Sequence, residues 1–448
     1  MEGEYGMNEF DVVIIGAGPG GLSLAYQLKA QDKNVAVVEE NLWGGTCPNR
    51  GCDPKKVLLA AVEAKQHNDY LVGKGIKQAS MINWTDLMQF EKTFTKDVSP
   101  SSREGLVNSN ITVYDGHATF IDKHQLQIDD QIIKSKQFVI ATGQRPGRLS
   151  IKGQEHLKTS TDFLKMDELP KSIALIGGGY IGFEFAAIAS AAGADVHLIH
   201  HNDRPLKEFP SDGVQSLIKQ LQKKGVHFDL NIDVTSVDHR DKQFRLSDDG
   251  NFNLDVDAVF VTAGRQANDD TLNLNHIGVK TDRGGIVVND HLQTDVENIY
   301  ALGDVISKKH PKLTPVSGFE AKYLSKELNG GDEPIDYPVI PTVIYGMPKL
   351  AQVGISIETA EQNPEQFNIS KLDMKNWFSY RRINEPVAEA EIIHEKSTNR
   401  IVGGYVVSSE ADTLINYLTM IINKQMTMDD ITNEVYAYPT EASDLEYL

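Results

Sequence analysis

Two stretches of this chain carry the same order of features: a short apolar run, a glycine-rich turn, a helical pattern and a second apolar run. The turn reads GAGPGG at 16–21 in the first stretch and GGGYIG at 177–182 in the second. The residue that ends the second apolar run, Glu39 or His200, lies 23 positions after the first glycine in both. This order predicts two strand–turn–helix–strand units that bind dinucleotides, and therefore an α/β protein.

The glycines of the first turn have separate roles. Gly16 makes the turn, Gly18 lets the backbone approach a pyrophosphate, and Gly21 lets the helix meet the strand. In this stretch, strands are predicted over 11–15 and 35–38, and a helix over 22–30. The same three roles are predicted for the second set of glycines, Gly177, Gly179 and Gly182.

The residue at the end of the second strand predicts which nucleotide each unit binds. Glu39 can pair with free ribose hydroxyls and repels a 2′-phosphate, which suits the adenosine of FAD. His200, His201 and Arg204 follow the equivalent strand, and imidazole and guanidinium groups receive a 2′-phosphate. The second unit is therefore predicted to prefer NADPH over NADH. The alternative is a solvated strand end in which the histidines have no ligand role.

The chain has two cysteines, Cys47 and Cys52, five positions apart. A structural disulfide gains most by closing a long loop, so this spacing favours redox chemistry. A helix is predicted over 57–65, and Pro54 just before it is tolerated in a first helical turn. Cys52 is then placed at a helix N-terminus, where backbone N–H groups stabilise a thiolate. Two sulfurs without a nearby histidine make a poor zinc site, so no metal centre is predicted. The alternative is a pair of inert, separately buried cysteines.

Charge and hydropathy exclude some partners. The net charge is −19, with no block of lysine and arginine, which argues against a nucleic acid or an anionic membrane as partner. No apolar run approaches the ~18 residues that span a bilayer. Residues 1–10 lack the basic start and apolar core of a secretion signal, so a cytoplasmic protein is expected.

Taken together, these motifs resemble the flavoprotein disulfide reductases, the family of glutathione reductase, dihydrolipoamide dehydrogenase and mercuric reductase. The resemblance covers nearly the whole chain and includes ATG at 141–143 and YALGD at 300–304. It implies a homodimer whose subunit has two Rossmann-like dinucleotide-binding domains and a C-terminal α+β dimerisation domain. The implied boundaries are an FAD-binding domain at 1–142 and 267–336, an NAD(P)H-binding domain at 143–266, and the dimerisation domain at 337–448.

The resemblance also implies a route for electrons. Hydride passes from NADPH to one face of the flavin, and the flavin reduces a Cys47–Cys52 disulfide on the other. Cys52 is then the flavin-side, charge-transfer thiol, and Cys47 the outward thiol that attacks a substrate. Lys55 matches the family lysine near the flavin, and Glu184 its ion-pair partner, although either could be an ordinary surface charge. Tyr180 matches the aromatic residue that covers the nicotinamide pocket; the alternative is an aromatic packed between strand and helix.

Further cofactor contacts follow from the resemblance. Asp304 matches the aspartate that binds the ribityl and phosphate region of FAD. The segment 313–316 opens a helix whose positive end would face the flavin pyrimidine. The other implied contacts are at Pro19, Gly20, Gly45, Thr46, Lys56, Ala118, Ala141, Thr142, Gly143, Ile181, Gly264, Arg265, Gly303, Leu313, Thr314 and Pro315.

The C-terminal segment departs from the family pattern of His-Pro-Thr with a glutamate five residues after the histidine. Here the segment reads Tyr438-Pro439-Thr440, and Ser443 stands where the glutamate would be. A free phenol loses its proton near pH 10, far from the value that suits acid-base catalysis at neutral pH. Efficient turnover of an ordinary disulfide is therefore not expected, and Tyr438 is kept as a candidate catalytic residue in place of the histidine.

Three functions remain open from the sequence. The first is an NADPH-dependent FAD oxidoreductase that passes electrons through Cys47 and Cys52 to a small-molecule acceptor: an oxidant, a metal ion, a quinone or an unusual disulfide. The second is a reductase of low-molecular-weight disulfides like glutathione reductase, with Tyr438 or water replacing the histidine. The third is a flavin-binding protein that senses redox state through its cysteines.

Overall fold

The computed structural model describes residues 9–448, so the first eight residues of the predicted FAD-binding domain lie outside the described residues. The described chain divides into two compact units, and the boundary between them runs through two helices, Cys52–Tyr70 and Trp84–Thr95. Unit 1 contains the residues up to Lys55, Phe90–Gly147 and Arg265–Asp336. Unit 2 contains Lys56–Gln89, Arg148–Gly264 and Tyr337–Leu448. The finer division into three domains stays a prediction.

A seven-stranded sheet forms the centre of unit 1. Glu9–Ile15 lies in its middle and pairs in parallel with Val35–Glu39 on one side and Gln131–Ile140 on the other. Residues 12–15, 35–38 and 138–140 of these strands are apolar and buried, as expected of a parallel sheet covered by helices. The order along the sheet is Thr112–Asp115, Val35–Glu39, Glu9–Ile15, Gln131–Ile140, Gln125–Ile128 and Ala118–Asp122, with Ile299–Ala301 also paired to Gln131–Ile140.

Helices and short strands complete unit 1. The helix Pro19–Lys29 begins three residues before the predicted start, because proline fits the first helical turn and Gly18 takes the extended conformation of an N-cap. The other helices wholly inside this unit are Thr46–Arg50, Val98–Asn108, Leu274–Ile277 and Thr314–Glu327, with a 3₁₀ turn at Gly303–Val305. The two-stranded ribbons are Gln144–Pro146 with Arg265–Ala267, and Thr281–Asp282 with Gly285–Ile286.

Unit 2 contains a second parallel sheet. Its four strands, in order, are Val226–Leu230, Asp195–His200, Ser172–Ile176 and Ala258–Val261. A three-stranded antiparallel sheet packs on one face through a shared apolar cluster; its strands are Ser236–Arg240, Gln243–Ser247 and Asn253–Val256. The helices of this part are Ser160–Phe163, Tyr180–Ala191 and Ser211–Lys223, with a 3₁₀ turn at Gln154–His156.

The C-terminal part of unit 2 is a five-stranded antiparallel sheet with helices. The helix Ala411–Asn423 packs on the sheet in a separate apolar core. The strands, in order, are Thr342–Ile344, Lys349–Gly354, Arg400–Ser408, Glu389–Glu395 and Phe367–Asp373. The other helices are Ile357–Gln362, Phe378–Arg381 and Met428–Thr432, with a 3₁₀ turn at Ser443–Tyr447.

The predicted fold class is confirmed: two Rossmann-like sheets, the first with an antiparallel extension, and a C-terminal α+β part are present. The helix predicted over 57–65 is longer than expected, Cys52–Tyr70, and begins at the second cysteine. Within residues 9–448, no helix is both long and apolar enough to cross a membrane.

Candidate active site

The first glycine turn is open at one position. A side chain at Gly16 would overlap the carbonyl oxygen of Ala141, and one at Gly21 would overlap the carbonyl oxygen of Gly16. At Gly18, by contrast, an added Cβ would meet no atom within 4 Å. Close packing therefore explains two of the glycines, while the third leaves backbone accessible beside the helix N-terminus, where a pyrophosphate binds. This cradle fits the adenine dinucleotide part of FAD.

The second glycine turn repeats the arrangement. A side chain at Gly177 would overlap Ala263, and one at Gly182 would overlap the carbonyl oxygen of Gly177. At Gly179 the nearest atom to an added Cβ is a backbone oxygen at 3.9 Å. The accessible position is again the middle one, so this turn also fits a dinucleotide.

The strand-end residues hold the two turns in the same way. Glu39 Oε2 accepts a hydrogen bond from the backbone N–H of Ala17 at 2.8 Å. In the second copy, His200 Nδ1 accepts from the N–H of Gly178, the equivalent residue, at 3.1 Å. Burial raises the pKa of Glu39 and lowers that of His200. Because Nδ1 is the acceptor, the neutral imidazole carries its proton on Nε2, so His200 offers an N–H donor without a positive charge.

His201 and Arg204 follow His200 in the sequence. His201 is exposed, and its Nε2 lies 3.0 Å from the side-chain nitrogen of Asn202. Arg204 forms an ion pair with Glu358 at 3.2 Å, and both side chains are nearly half exposed. A bound 2′-phosphate would have to compete with this carboxylate for the guanidinium.

The two cysteine sulfurs lie together in unit 1. Cys47 is the second residue of the short helix Thr46–Arg50, and Cys52 begins the next helix. The hydrogen bond between their side chains, together with burial, raises the pKa of Cys47. Cys52 is the more exposed thiol, and its sulfur lies 3.9 Å from Thr314 Oγ1. The two cysteines are therefore not buried separately, and their sulfurs are close enough to interact.

Thr314 is the first residue of the helix Thr314–Glu327, with Leu313 as its N-cap and Pro315 in its first turn. The resemblance implies that this helix faces the flavin, and the Thr314 side chain also forms a hydrogen bond with that of Cys47. Thr314 therefore contacts both sulfurs, and the order of the two cysteines relative to the flavin stays a prediction.

Asp304 lies in a network of charged side chains that the sequence does not predict. Burial raises the pKa of Asp304, and the nearby Lys308, Arg265 and Lys312 act in the opposite direction. Lys312 Nζ donates to the backbone oxygen of Asp304 at 2.8 Å. The network positions an aspartate among cations on the surface predicted to hold the ribityl chain.

A buried ion pair supports the same turn. Glu320 is fully buried, and its Oε2 accepts from the N–H of Gly303 at 2.7 Å. Its other oxygen accepts from Lys308 Nζ at 2.6 Å. The two residues are twelve positions apart, one in a loop and one in a helix, so no sequence pattern pairs them. Their only sequence signal is a single glutamate on the apolar side of the helix Thr314–Glu327.

The residues of the predicted lysine–glutamate pair are both buried, which argues against ordinary surface charges. Lys55 lies in the first turn of Cys52–Tyr70, and Glu184 in the helix Tyr180–Ala191. Glu184 Oε1 accepts from the backbone N–H of Tyr345 at 2.9 Å. The ammonium group of Lys56 lies over the ring of Tyr345.

Tyr180 begins the helix after the second glycine turn. It is 44 % exposed, more than a ring packed between strand and helix would be. Ile181 and Gly182 follow it in the same helix. This position supports the predicted cover over a nicotinamide pocket.

Several other predicted cofactor residues use their side chains within the protein. The hydroxyl of Thr142 donates to the backbone oxygen of Asn268 at 2.6 Å. Arg265 donates to the backbone oxygen of Gln144 at 2.7 Å. Any contact by Thr142 with a nucleotide would therefore use its backbone. The remaining predicted residues lie at strand starts and ends or helix starts: Pro19, Gly20, Gly45, Thr46, Ala118, Ala141, Gly143 and Gly264.

The C-terminal segment presents a tyrosine to the surface. Tyr438 is 71 % exposed, and its ring stacks on Phe378 with centroids 5.9 Å apart. Ser443 is buried, and its hydroxyl donates to the backbone oxygen of Thr440 at 2.7 Å. Ser443 therefore closes a turn and does not replace the carboxylate of the family pattern.

Known protein families match most of the chain. Residues 10–321 match the family described as pyridine nucleotide-disulphide oxidoreductase, and residues 340–447 match its dimerisation domain. The chain is 32 % identical to a dihydrolipoyl dehydrogenase of Chlamydia muridarum, over 97 % of this chain and 95 % of that protein. It is 29 % identical to a glutathione reductase of Burkholderia cepacia, over 97 % of both chains.

Solved structures give the same result. The HOCl-induced flavoprotein disulfide reductase RclA from Escherichia coli is similar with a TM-score of 0.89 and 25 % identity, over 98 % of this chain and 99 % of that one. A Cu(II) complex of that reductase is similar with a TM-score of 0.89 and 26 % identity, over the same shares. With these matches over nearly its whole length, the chain belongs to the FAD-dependent pyridine nucleotide-disulphide oxidoreductases and carries the dimerisation domain of that family.

Proposed function

We propose that this protein is a homodimeric, NADPH-dependent oxidoreductase whose Cys47–Cys52 couple reduces an acceptor that needs little proton catalysis. The observation that carries the proposal is the combination of two adjacent sulfurs with a C-terminal segment that has Tyr438 in place of a histidine. FAD, when bound, supplies the two-electron link between the nicotinamide and the cysteines. The Ser443 hydroxyl is committed to a turn, so it supplies no acid-base group.

The nature of the acceptor follows from where protons must go. When a disulfide is reduced, one of its sulfurs leaves as a thiolate that needs a proton, and the histidine of the family pattern serves this step. Hypochlorous acid instead takes two electrons as the dithiol becomes a disulfide and leaves as chloride and water. One thiol proton joins its hydroxyl group to form the water, and the other is released. Two Cu(II) ions take one electron each and become Cu(I), and the dithiol releases its two protons as it becomes a disulfide. Neither reaction needs an added acid, so we favour an oxidant or an oxidised metal ion.

The names of the similar proteins bear on this choice. The Escherichia coli reductase is described as HOCl-induced, and a Cu(II) complex of it is known. These descriptions favour an oxidant or a metal ion over a quinone. The curated relatives are dihydrolipoyl dehydrogenases and a glutathione reductase, which keeps reduction of a small disulfide as the second candidate.

An anaerobic titration with NADPH tests whether the cysteines are part of the electron route. We expect a long-wavelength charge-transfer band after two electrons, because Cys52 lies at a helix N-terminus beside Thr314. Bleaching of the flavin without this band would contradict the proposed cysteine couple. The steady-state rates of NADPH oxidation with hypochlorous acid, Cu(II) and glutathione disulfide then rank the acceptors.

Replacing Tyr438 by phenylalanine separates the two candidate functions. We expect the rate with Cu(II) or hypochlorous acid to change by less than ~10-fold, whereas loss of a working acid-base group costs about 10²- to 10⁴-fold. Tyr447→Phe is the matched control, because it removes another exposed C-terminal hydroxyl. A rate that falls ~100-fold or more in Tyr438→Phe but not in Tyr447→Phe would show that the phenol acts as an acid, and would favour disulfide reduction.

The proposed preference for NADPH depends on the groups beside the second glycine turn. Because the pKa of His200 is lowered and its Nδ1 accepts the N–H of Gly178, the groups left to receive a 2′-phosphate are the Arg204 guanidinium and the exposed His201 imidazole. We expect the double variant His201→Ala/Arg204→Ala to lower kcat/KM for NADPH by roughly 10- to 100-fold, since hydrogen bonds to charged groups contribute about 1.5–3 kcal/mol. The kcat/KM for NADH should change much less.

Lys207→Ala is the control for this experiment, since it removes an exposed cation nearby that pairs with Glu208. An equal loss with both nucleotides in the double variant would show a general effect on the fold. Equal use of NADH and NADPH by the unchanged protein would contradict the preference itself.

A further inference from the structure

Two histidines and two aspartates meet at the edge of the parallel sheet in unit 2. The edge strand Val226–Leu230 pairs in register with Asp195–His200, and His227 lies opposite His197. Because side chains two positions apart share a face of a strand, Asp195 and His197 lie on the same face as His227 and Asp229. The cluster therefore combines imidazole and carboxylate groups from two adjacent strands.

The side chains are close enough to share one ion. The two imidazole rings stack with centroids 4.5 Å apart and an angle of 15° between their planes. His227 Nε2 lies 3.1 Å from Asp195 Oδ1. One ligand atom from each of Asp195, His197 and His227 lies within 4.8 Å of the other two.

The fourth residue fixes the protonation of one histidine. His197 Nδ1 lies 2.8 Å from Asp229 Oδ2, and a carboxylate only accepts hydrogen bonds, so Nδ1 carries the proton. In the neutral imidazole, Nε2 then keeps its lone pair. Histidine ligands of metals almost always donate their other N–H to a carboxylate, a carbonyl or a water in this way.

We propose that Asp195, His197 and His227 bind a divalent late transition metal ion such as Zn²⁺, with Asp229 orienting His197 and water completing the coordination. In a tetrahedral zinc site, with bonds of about 2.0–2.1 Å, ligand atoms lie roughly 3.3–3.4 Å apart. The 3.1 Å between His227 and Asp195 is already close to this spacing. The side chains of both residues are more than half exposed, so small rotations can bring the third ligand closer.

Two separate histidine–aspartate ion pairs explain this arrangement less well than a metal ion does. An ion pair at each aspartate requires both imidazoles to be protonated, which places two positive charges on stacked rings. A metal ion requires both rings to be neutral and places one dication between them and the carboxylates. The ion would replace the proton between His227 and Asp195.

This site is separate from the proposed redox chemistry. Asp195 begins the strand Asp195–His200, and the nucleotide turn is held by His200 at the other end. A bound ion would join the edge strand of the sheet to its neighbour, so we expect it to stabilise unit 2. The sequence predicts no metal site near the cysteines, and this cluster forms only because strand pairing brings together histidines 30 positions apart.

Zinc binding tests the proposal directly. The protein would be the full, FAD-loaded chain with Cys47→Ser and Cys52→Ser, because cysteine thiolates also bind zinc. Competition against a chromogenic chelator should give one Zn²⁺ per chain. His197→Ala or His227→Ala should weaken binding at least ~10-fold, and Asp229→Asn by about 10- to 100-fold, the usual effect of losing a partner that orients a ligand.

A matched control removes two other histidines of unit 2. His156 and His239 have ring centroids 5.7 Å apart, and His156→Ala/His239→Ala should leave zinc binding unchanged. Equal zinc binding by the His197 and His227 variants and their parent would overturn the proposal, as would equal loss in the control. Neither result depends on the redox function, because all these chains lack both cysteines.

Two further readouts guard against unfolding of a variant. Zn²⁺ should raise the Tm of the parent but not that of His227→Ala, and all chains should have the same Tm in a chelator. Cu(II) bound in place of zinc should show nitrogen hyperfine splitting from two imidazoles in its electron paramagnetic resonance spectrum. Splitting from a single imidazole would contradict the ligand set.

Discussion

Replacing Cys47 by serine is expected to reduce turnover with the physiological acceptor by at least about 10³-fold, as expected when the group that reacts with the substrate is removed. The chain contains only one other cysteine, so no further thiol can take over. A serine hydroxyl neither forms a disulfide nor passes electrons to an oxidant or a metal ion. Steady-state oxidation of NADPH with Cu(II) or hypochlorous acid measures the effect.

The variant should still accept electrons from NADPH, because the substitution leaves both glycine turns unchanged. Stopped-flow reduction of the bound FAD checks this. In the unchanged protein, the hydrogen bond with Cys52 and burial raise the pKa of Cys47, whereas Cys52 begins a helix whose N-terminal N–H groups stabilise a thiolate. The charge-transfer band should therefore survive in Cys47→Ser and disappear in Cys52→Ser.

Cys52→Ser is thus the matched control, since it removes the same chemical group five residues away. Retained turnover in Cys47→Ser would show that the acceptor takes electrons at the flavin itself. In that case a quinone becomes the first acceptor to test, and the cysteines would have no part in turnover.

Lys308→Met is expected to lower the free energy of unfolding by about 3–5 kcal/mol and to weaken the binding of FAD. The side chain of Lys308 is 6 % exposed and its partner Glu320 is fully buried, so the substitution leaves a carboxylate without its compensating charge. Glu320 also accepts the N–H of Gly303, the residue before Asp304. Disturbing Glu320 should therefore displace the turn predicted to hold the ribityl chain.

Urea denaturation of the FAD-free protein measures the stability, and recovery of flavin fluorescence on dilution measures the affinity for FAD. Lys309→Met is the control, because it removes an exposed lysine at the next position. The double variant Lys308→Met/Glu320→Gln should recover part of the loss, since no buried charge then remains unpaired. Equal stability of Lys308→Met and the unchanged chain would contradict a structural role for the ion pair.

The sequence predicts the parts of this molecule that depend on local spacing. The glycine turns, the strands beside them and the helix that begins at Cys52 follow from short-range chemistry, and the structure contains all of them. The start of the helix Pro19–Lys29 was predicted three residues late, because apolar periodicity begins only after the proline and glycines that form its first turn.

Side-chain contacts between distant positions were not predictable in this way. The pairing of Lys308 with Glu320 depends on how a loop returns to a helix, and the histidine cluster depends on the register of two strands. His200 is the clearest case: its residue type suggested a cation, whereas its contact with Gly178 makes it an acceptor. The roles assigned to the nucleotide-binding residues and to Tyr438 stay predictions for the experiments above.

The shared contact of Glu39 and His200 limits how cofactor preference can change in this chain. Each strand-end residue must first supply an acceptor to the loop N–H, and only its remaining atoms are available to a ribose or a phosphate. Lysine or arginine at position 200 would add charge but has no acceptor, so the loop would lose its tether. A change of preference between NADPH and NADH can therefore use histidine, glutamate, aspartate, asparagine or glutamine at this position. The most basic side chains are excluded because they cannot accept the hydrogen bond from the loop, whatever the ligand.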